Sequence, residues 1–443
     1  MSNIPDTLNG LRWKEWLTAF PEIGDLADAR PVFWGRSQSL TASSAIVSSG
    51  FTLQDVKDVA LRLKRFSPFM TQIFPETSAR GGVMESPLRE SQAVLNDLKK
   101  YRPLPPVRLF FKMDNMLPLS ASLKDRGGVY EVLKLAEDIG IYAKKLKWSD
   151  NYAKLNSLGM RNFFSKFSLS VSSVGNLGLA AGLMGKALGF SVSAHTSKET
   201  RAWKKDYMRS KGIEVIDYNV DCAEVLKKAR EEAAADPACF FVGEENSRNV
   251  FLGYTTAGMN IKSNLCRLGI EIDGSRPLHV YIPCGSGLAA SGLCLGLKLA
   301  FMDNVRCFLA EPVQAPSMLL GLGTRLFDKV SVRDIGLSGL TVADELSLCR
   351  PSSLACAVLR EMADGCVTVE DDELFKLLTI VNTHERSKLE PSALAGLAAF
   401  MLTARNTLGA GFTQGVHLVW LSGGGLTPDN EWRSYYERGQ GML

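Results

Sequence analysis

The sequence predicts an α/β fold built on mostly parallel strands, and three observations carry that expectation. From about residue 107 short β-rich runs alternate with helical stretches, the alternation falls into two series, and the apolar runs close on turns rich in glycine and serine. With 443 residues the chain has the size of two domains or of one large α/β body. At 46% hydrophobic and 22% charged residues it has the composition of a soluble globular protein, neither disordered nor membrane-bound. No run of about 18 apolar residues offers a spanning helix.

Other function classes fall away on simple counts. The 51 Lys+Arg against 47 Asp+Glu leave a formal charge of +4, too diffuse for the basic field that nucleic-acid binding requires. The 4 histidines, at 195, 279, 384 and 417, include no i, i+4 pair and no Cys/His cluster, which argues against a dedicated zinc site. The 9 cysteines are scattered through apolar stretches, Cys239 beside Phe240 and Cys307 beside Phe308, and read as reduced, mostly buried thiols of a cytoplasmic protein. The start MSNIPDTLNG shows no secretory signal. What stands out is 39 glycines, several of them bunched.

Taken in order, the segments 11 to 20 and 53 to 66 space apolar residues by three and four, so the first hundred residues read as a helical layer added over a core. The run 107 to 113 is a strand, as is 167 to 173, followed by a glycine-flanked turn and a helix from 177. Three more strand and helix pairs succeed it: 190 to 195 with a helix over 202 to 209, 213 to 218 with 222 to 235, and 238 to 243 with 251 to 268. Such succession implies parallel strands joined by right-handed crossovers. A second series has strands at 278 to 285 and 305 to 312 around a helix over 288 to 302, and the apolar strand VHLVWLSGGG closes it at 416 to 425. In sheets of this kind ligands bind at the carboxyl ends of the strands.

Four loops lie in that position. In SASLKDRGG, Lys124 begins a helix, where the macrodipole disfavours its ammonium and so favours the amine an imine-forming lysine needs; a solvated surface lysine is the alternative. In SSVGNLG, Gly175 and Gly178 allow backbone amides close to a carboxylate or phosphate and Asn176 adds a side-chain amide, although a helix cap would look the same. PCGSGLAASG, from Pro283 to Gly292, resembles a phosphate cradle without being a Walker A loop or a GxGxxG fingerprint, and a tight structural turn is as good a reading. Ser422 in LSGGG ends a buried strand with its hydroxyl available, or simply precedes a glycine turn. Together a helix-start lysine, an anion loop, a phosphate loop and a late serine are what a protein needs to hold pyridoxal 5'-phosphate.

The chain resembles the bacterial D-serine dehydratase (D-serine ammonia-lyase) family, pyridoxal-phosphate enzymes of fold type II, the tryptophan synthase β-like group. FPETSARGG, LPLSASLKDRGGVYEVL, SVGNLGL, RAWKKDYMRSKGIEV, ENSRNVFLGYTTAG, GLKLAF, LAEP, LEPSALAG and HLVW followed by SGGG carry the resemblance almost end to end. It implies two open, twisted, mostly parallel sheets flanked by helices, with the cofactor in the cleft between a large and a small domain. The large domain would comprise residues 1–165 and 253–443, with the helical extension over about 1–100, and the small mobile domain residues 166–252.

By motif, the resemblance gives Lys124 the covalent link to the cofactor and Asn176 the ring hydroxyl. It sets Ser172, Ser173, Val174 and Gly175 against the substrate carboxylate, Gly285, Ser286, Gly287, Leu288 and Ala289 around the phosphate, and Ser422 before the pyridine nitrogen. Glu311 and the carbonyl of Ala315 match where related enzymes hold a cation, which leaves room for a monovalent ion. The implied reaction removes the Cα proton and the β-hydroxyl of a hydroxy amino acid, with Lys124 as base and Glu244 in the polar chemistry of the leaving group. D-serine would give pyruvate and ammonia. The expected partner is a small amino acid, with no nucleic acid or membrane, acting on a monomer or homodimer.

Four departures from the family pattern open alternatives. Val174 stands for threonine, Ala121 for the glycine of Ser-Gly-Ser, Leu288 and Ala289 for glycines, and Glu244 for aspartate. A lyase or β-replacement enzyme for another amino acid, or a catalytically impaired family member, would account for them.

Overall fold

The computed structural model describes residues 7–36, 40–172, 175–198, 200–220, 222–406 and 410–443, with the side chains of all but 222, 223 and 410 among these. Thirteen strands are described, in chain order β1 Thr7–Leu8, β2 Leu11–Arg12, β3 Phe33–Gly35, β4 Leu88–Glu90, β5 Arg108–Met113, β6 Ser168–Ser172, β7 Ser191–Ser197, β8 Glu214–Tyr218, β9 Cys239–Gly243, β10 Leu278–Pro283, β11 Val305–Pro312, β12 Gly365–Val369 and β13 Val416–Leu421. Two compact units are built from interleaved segments, Met1–Thr52 with Ser86–Met116 and Ala257–Leu443, and Leu53–Glu85 with Leu117–Thr256. Among the described residues no helix is long and apolar enough to cross a membrane.

The first unit holds a seven-stranded sheet in the order β3-β12-β11-β10-β13-β5-β4. Its five inner strands are parallel, while β3 and β4 pair antiparallel at the two edges. Every residue of β10 and β13 is buried. Parallel strands covered on both faces need such unbroken apolar runs. The edges are only three residues long, which limits the row of unpaired backbone groups a sheet edge would expose. β12 was not anticipated from sequence: its five residues GCVTV are all buried and lack any alternation that would mark a strand.

The second unit holds a four-stranded, wholly parallel sheet in the order β8-β7-β6-β9, which is the succession of strand and helix pairs expected from sequence. The helix expected over 53 to 66 runs further, over Leu53–Ile73, straight through Pro68. An interior proline costs a helix about 3 kcal/mol. Tertiary contacts offset it here, because Phe66, Phe69 and Met70 are buried on that helix. Upstream, Arg62 Nε and Arg65 Nε donate to the Glu137 carboxylate at 2.6 and 2.7 Å, and the Tyr152 hydroxyl joins them at 2.7 Å. At the N-terminus, part of the segment 11 to 20 is extended: Leu11–Arg12 pairs with Thr7–Leu8, and the helix is confined to Trp13–Ala19.

Candidate active site

In the second unit Lys124 is the first residue of the helix Lys124–Tyr142, as its sequence context suggested. The preceding loop is folded around one carboxylate. Asp125 is fully buried and accepts the amides of Leu119 and Ser120 at 3.0 and 2.8 Å and the Ser120 hydroxyl at 2.5 Å. An acid in the first turn of a helix is electrostatically well placed. Its reach back to residues five and six positions earlier was not foreseen, and the spacing of Ser120 from Asp125 is the one signal that could have shown it. Ala121, at the crest of the loop, has φ +48°, the left-handed region that glycine enters without strain.

Two glycines then set the height of the lysine helix. A Cβ on Gly127 would fall 2.5 Å from the Tyr254 ring, and one on Gly128 would fall 3.2 Å from the carbonyl of Leu177. The helix therefore packs almost backbone to backbone against its neighbours, and Lys124 is carried on a rigid element rather than a loose loop.

Glu244 follows the last residue of β9, and β9 is registered so that Gly243 faces Ser172, the last residue of β6. The ENSR run explains how this corner is held. Asn246 turns the chain with φ +57°, the Ser247 hydroxyl accepts the Val250 amide at 3.1 Å, and it donates to Glu131 of the lysine helix at 2.7 Å. Glu131 is a second positioning residue that sequence reading passed over. With the corner so fixed, Lys124 Nζ donates to Glu244 Oε1 at 2.5 Å, both side chains being largely buried. Ser172 is buried at the strand end, and Asn176, also buried, opens the helix Asn176–Leu188 after Gly175. Ser173 and Val174 lie outside the described residues.

In the first unit the expected loops lie along the carboxyl edge of the sheet. β10 runs into Cys284 to Gly287 and then the helix Leu288–Phe301. Gly287 has φ +85°, the region that favours glycine, and a Cβ there would also have to displace the Met318 Cε, 2.2 Å away. Leu288 and Ala289, where the resembling family has glycines, are ordinary helical residues. Leu288 is fully buried with its amide on the Ser286 hydroxyl at 3.3 Å, and no side chain caps this 14-residue helix. Beyond the Leu288 amide, which Ser286 takes, the first turn leaves amides open to an anion despite the missing glycines. Ser422 follows the last residue of β13, half-buried and with no hydrogen bond to any described residue.

Glu311, near the end of β11, is fully buried and accepts the amides of Met318 and Leu319 at 2.7 and 2.8 Å. Burial pushes its carboxyl up to about 8, against the opposing pull of those two amides. Each oxygen already has one donor, so only its remaining lone pairs could serve a cation. Ala315 is buried beside it in the chain.

These residues fit pyridoxal 5'-phosphate on the chemistry of their donors. In the second unit Lys124 offers a primary amine for the aldehyde; in the first, taken by itself, the first-turn amides after Leu288 suit a phosphate and the Ser422 hydroxyl has no hydrogen-bond partner among the described residues.

The family described as pyridoxal-phosphate dependent enzyme matches residues 87–423. A probable D-serine dehydratase of Chromobacterium violaceum is 41% identical over 446 residues, covering 98% of this chain and 100% of its own. One from Bacillus mycoides is also 41% identical, over 95% of this chain and 96% of its own. Among solved structures, diaminopropionate ammonia lyase from Escherichia coli in complex with D-serine superposes with a TM-score of 0.67 at 16% identity, over 93% of this chain and 97% of that one. Serine racemase from Dictyostelium discoideum gives 0.59 at 19% identity, over 85% and 99%. At such identities the structures speak for the fold, which is fold type II. With matches of this extent, the chain belongs to the pyridoxal-phosphate-dependent enzymes, in the D-serine dehydratase family.

Proposed function

We propose that this enzyme is a D-serine ammonia-lyase, converting D-serine to pyruvate and ammonia. The observation that carries the mechanism is the 2.5 Å contact between Lys124 Nζ and Glu244 Oε1. It brings an amine that donates and a carboxylate that accepts to the same spot, held by the Asp125 loop on one side and the Ser247 to Glu131 contact on the other. The substrate class follows from relatives about 40% identical over nearly the whole chain.

Pyridoxal phosphate, when bound, delocalises the negative charge left at Cα once its proton is lost. The chain's residues do the rest. Lys124 would hold the cofactor and its amine would serve as a base for the Cα proton; Glu244 would take or return the proton passing between that lysine and the departing β-hydroxyl. Ser172 and the amides following Gly175 orient the substrate carboxylate, Asn176 the ring hydroxyl. Gly285, Ser286, Gly287, Leu288 and Ala289 seat the phosphate, and Ser422 supplies a neutral partner to the ring nitrogen. Glu311 and the Ala315 carbonyl remain the place for a monovalent cation.

The purified protein should show the near-visible absorbance of lysine-bound pyridoxal phosphate, and Lys124→Ala should lose it. Assays of 2-oxo acid release from D-serine, D-threonine and L-serine then test the substrate. D-serine should be fastest, and preference for another amino acid would replace this reading with a lyase of different specificity, the outcome that Val174 and Glu244 favour.

A further inference from the structure

At the opposite edge of the seven-stranded sheet, where β5 and β13 begin, lies a cavity of about 320 Å³. Its wall is drawn from three parts of the first unit. The helix Gln92–Tyr101 contributes Gln92 and Lys99, the first residue of β5 contributes Arg108, and Arg276 stands two residues before β10. Gln414 and Gly415, just ahead of β13, complete it. The register pairs Val416 with both Arg108 and Leu278, so Arg108 and Arg276 flank the start of β13 on its two neighbouring strands. Both arginines line the same concavity.

We propose that this cavity binds a small phosphate monoester. Its wall carries three cationic side chains and no carboxylate. Arg108 is already braced, in a two-pronged pair with Glu90 at 2.8 Å for each prong and over the Phe110 ring at 5.2 Å. Neither Lys99 nor the Arg276 guanidinium has a hydrogen-bond or ion-pair partner among the described residues, although Asp273 lies near enough to feel Arg276. With Arg108 already paired to Glu90, the Lys99 and Arg276 cations on one hollow repel each other unless a further anion joins them. The Arg276 guanidinium fork, the Lys99 ammonium and the carboxamides of Gln92 and Gln414 suit the several oxygens of a phosphate better than the two of a carboxylate. The volume lies at the lower end of small-molecule pockets, which run upward from about 300 Å³, and so leaves room for an organic group beyond the phosphate.

Calorimetric titration of the pyridoxal-phosphate-loaded enzyme with glycerol 3-phosphate and with inorganic phosphate, at matched ionic strength in chloride, tests this. Glycerol 3-phosphate should bind saturably and more tightly than inorganic phosphate. In Lys99→Gln/Arg276→Gln its affinity should fall at least tenfold, with D-serine turnover in the absence of added phosphate and the melting temperature unchanged. No saturable heat, equal binding to the variant, or no preference for the monoester would overturn the proposal. Arg276→Lys, which keeps the charge but not the fork, should lose less than Arg276→Gln; equal losses would also count against it.

Discussion

Lys124 and Glu244 are 120 residues apart in the chain and share a hydrogen bond of 2.5 Å, the amine of a helix start meeting a carboxylate at a strand end. The pair makes proton transfer local, and it makes a specific expectation of each partner. Glu244→Gln should keep the absorbance of lysine-bound cofactor but slow 2-oxo acid release by about 100-fold or more, the usual worth of a positioned acid or base. Glu244→Asp, which restores the aspartate of the resembling family, should retain most of the rate. Full activity in the glutamine variant would remove Glu244 from the reaction.

The lysine loop depends on Asp125. Its carboxylate satisfies two buried amides and a hydroxyl at once, so Asp125→Ala should cost about 3 kcal/mol in unfolding free energy through the donors it leaves unpaired. The same variant should bind cofactor more weakly, because Lys124 would no longer be held at the helix start. A loss of stability with unchanged cofactor affinity would show that the loop keeps its shape without the carboxylate.

Ala121 is strained by its left-handed backbone, at φ +48°. An L-residue in that region costs about 1–2 kcal/mol, of which glycine recovers the larger part after its own entropy loss. Ala121→Gly should therefore raise the stability by about 1 kcal/mol, read as a higher denaturation midpoint. A decrease would mean that the Ala121 methyl, itself buried, contributes more by packing than its conformation costs.

Glu311 should make the enzyme less stable as pH rises through neutrality. Its folded carboxyl titrates at about 8 against an ordinary 4.5, so between those values the folded state keeps a proton the unfolded state has released. Stability then falls by about 1.4 kcal/mol per pH unit. The upper end of this window, from about pH 7.5 to 8, isolates the effect, because the unfolded histidines, which titrate near 6.5, have lost their protons there. Glu311→Gln, which mimics the neutral acid, should flatten that slope. Potassium that reduces the same slope in the unaltered enzyme would place a cation at Glu311.

His279 and His417 act in the opposite direction. They face each other across β10 and β13, stacked at 4.9 Å, and burial lowers them to about 4 and about 3. Both stay neutral in the folded protein while the unfolded chain protonates near 6.5. Each therefore removes about 1.4 kcal/mol per pH unit as pH drops from 6.5 towards 4, and the two together outweigh Glu311 in that interval. His417→Phe should remove one histidine's share, about 1.4 kcal/mol per pH unit, leaving His279 and Glu311 nearly balanced and the acid slope close to flat, at the expense of the 3.0 Å hydrogen bond between Tyr281 and His417. An unchanged slope would place the acid sensitivity elsewhere.

Much of this was legible in the sequence because it is local. The apolar runs that became β5, β10, β11 and β13, and the parallel succession of β6 to β9, follow from residues adjacent in the chain, as does the place of Lys124 at a helix start. The motif resemblance, read from the same linear string, named the family. β12 went unread because its five residues, with Gly365 and Thr368 among them, offer neither alternation nor the long apolar run that marks β10 and β13, and the helix through Pro68 because distant partners at Glu137 and Tyr152 offset what a local rule forbids. Linear reading was enough for the strand and helix succession from β6 to β11, for the closing strand β13, for the cofactor class and for which residue types stand at each loop. Only the tertiary structure decided that Glu244 meets Lys124, that Asp125 folds the loop before it, that Ala121 is strained where Leu288 and Ala289 are not, and that Lys99, Arg108 and Arg276 surround one hollow. Those are relations of register, burial and charge between distant segments, and they come into being only when the sheets form.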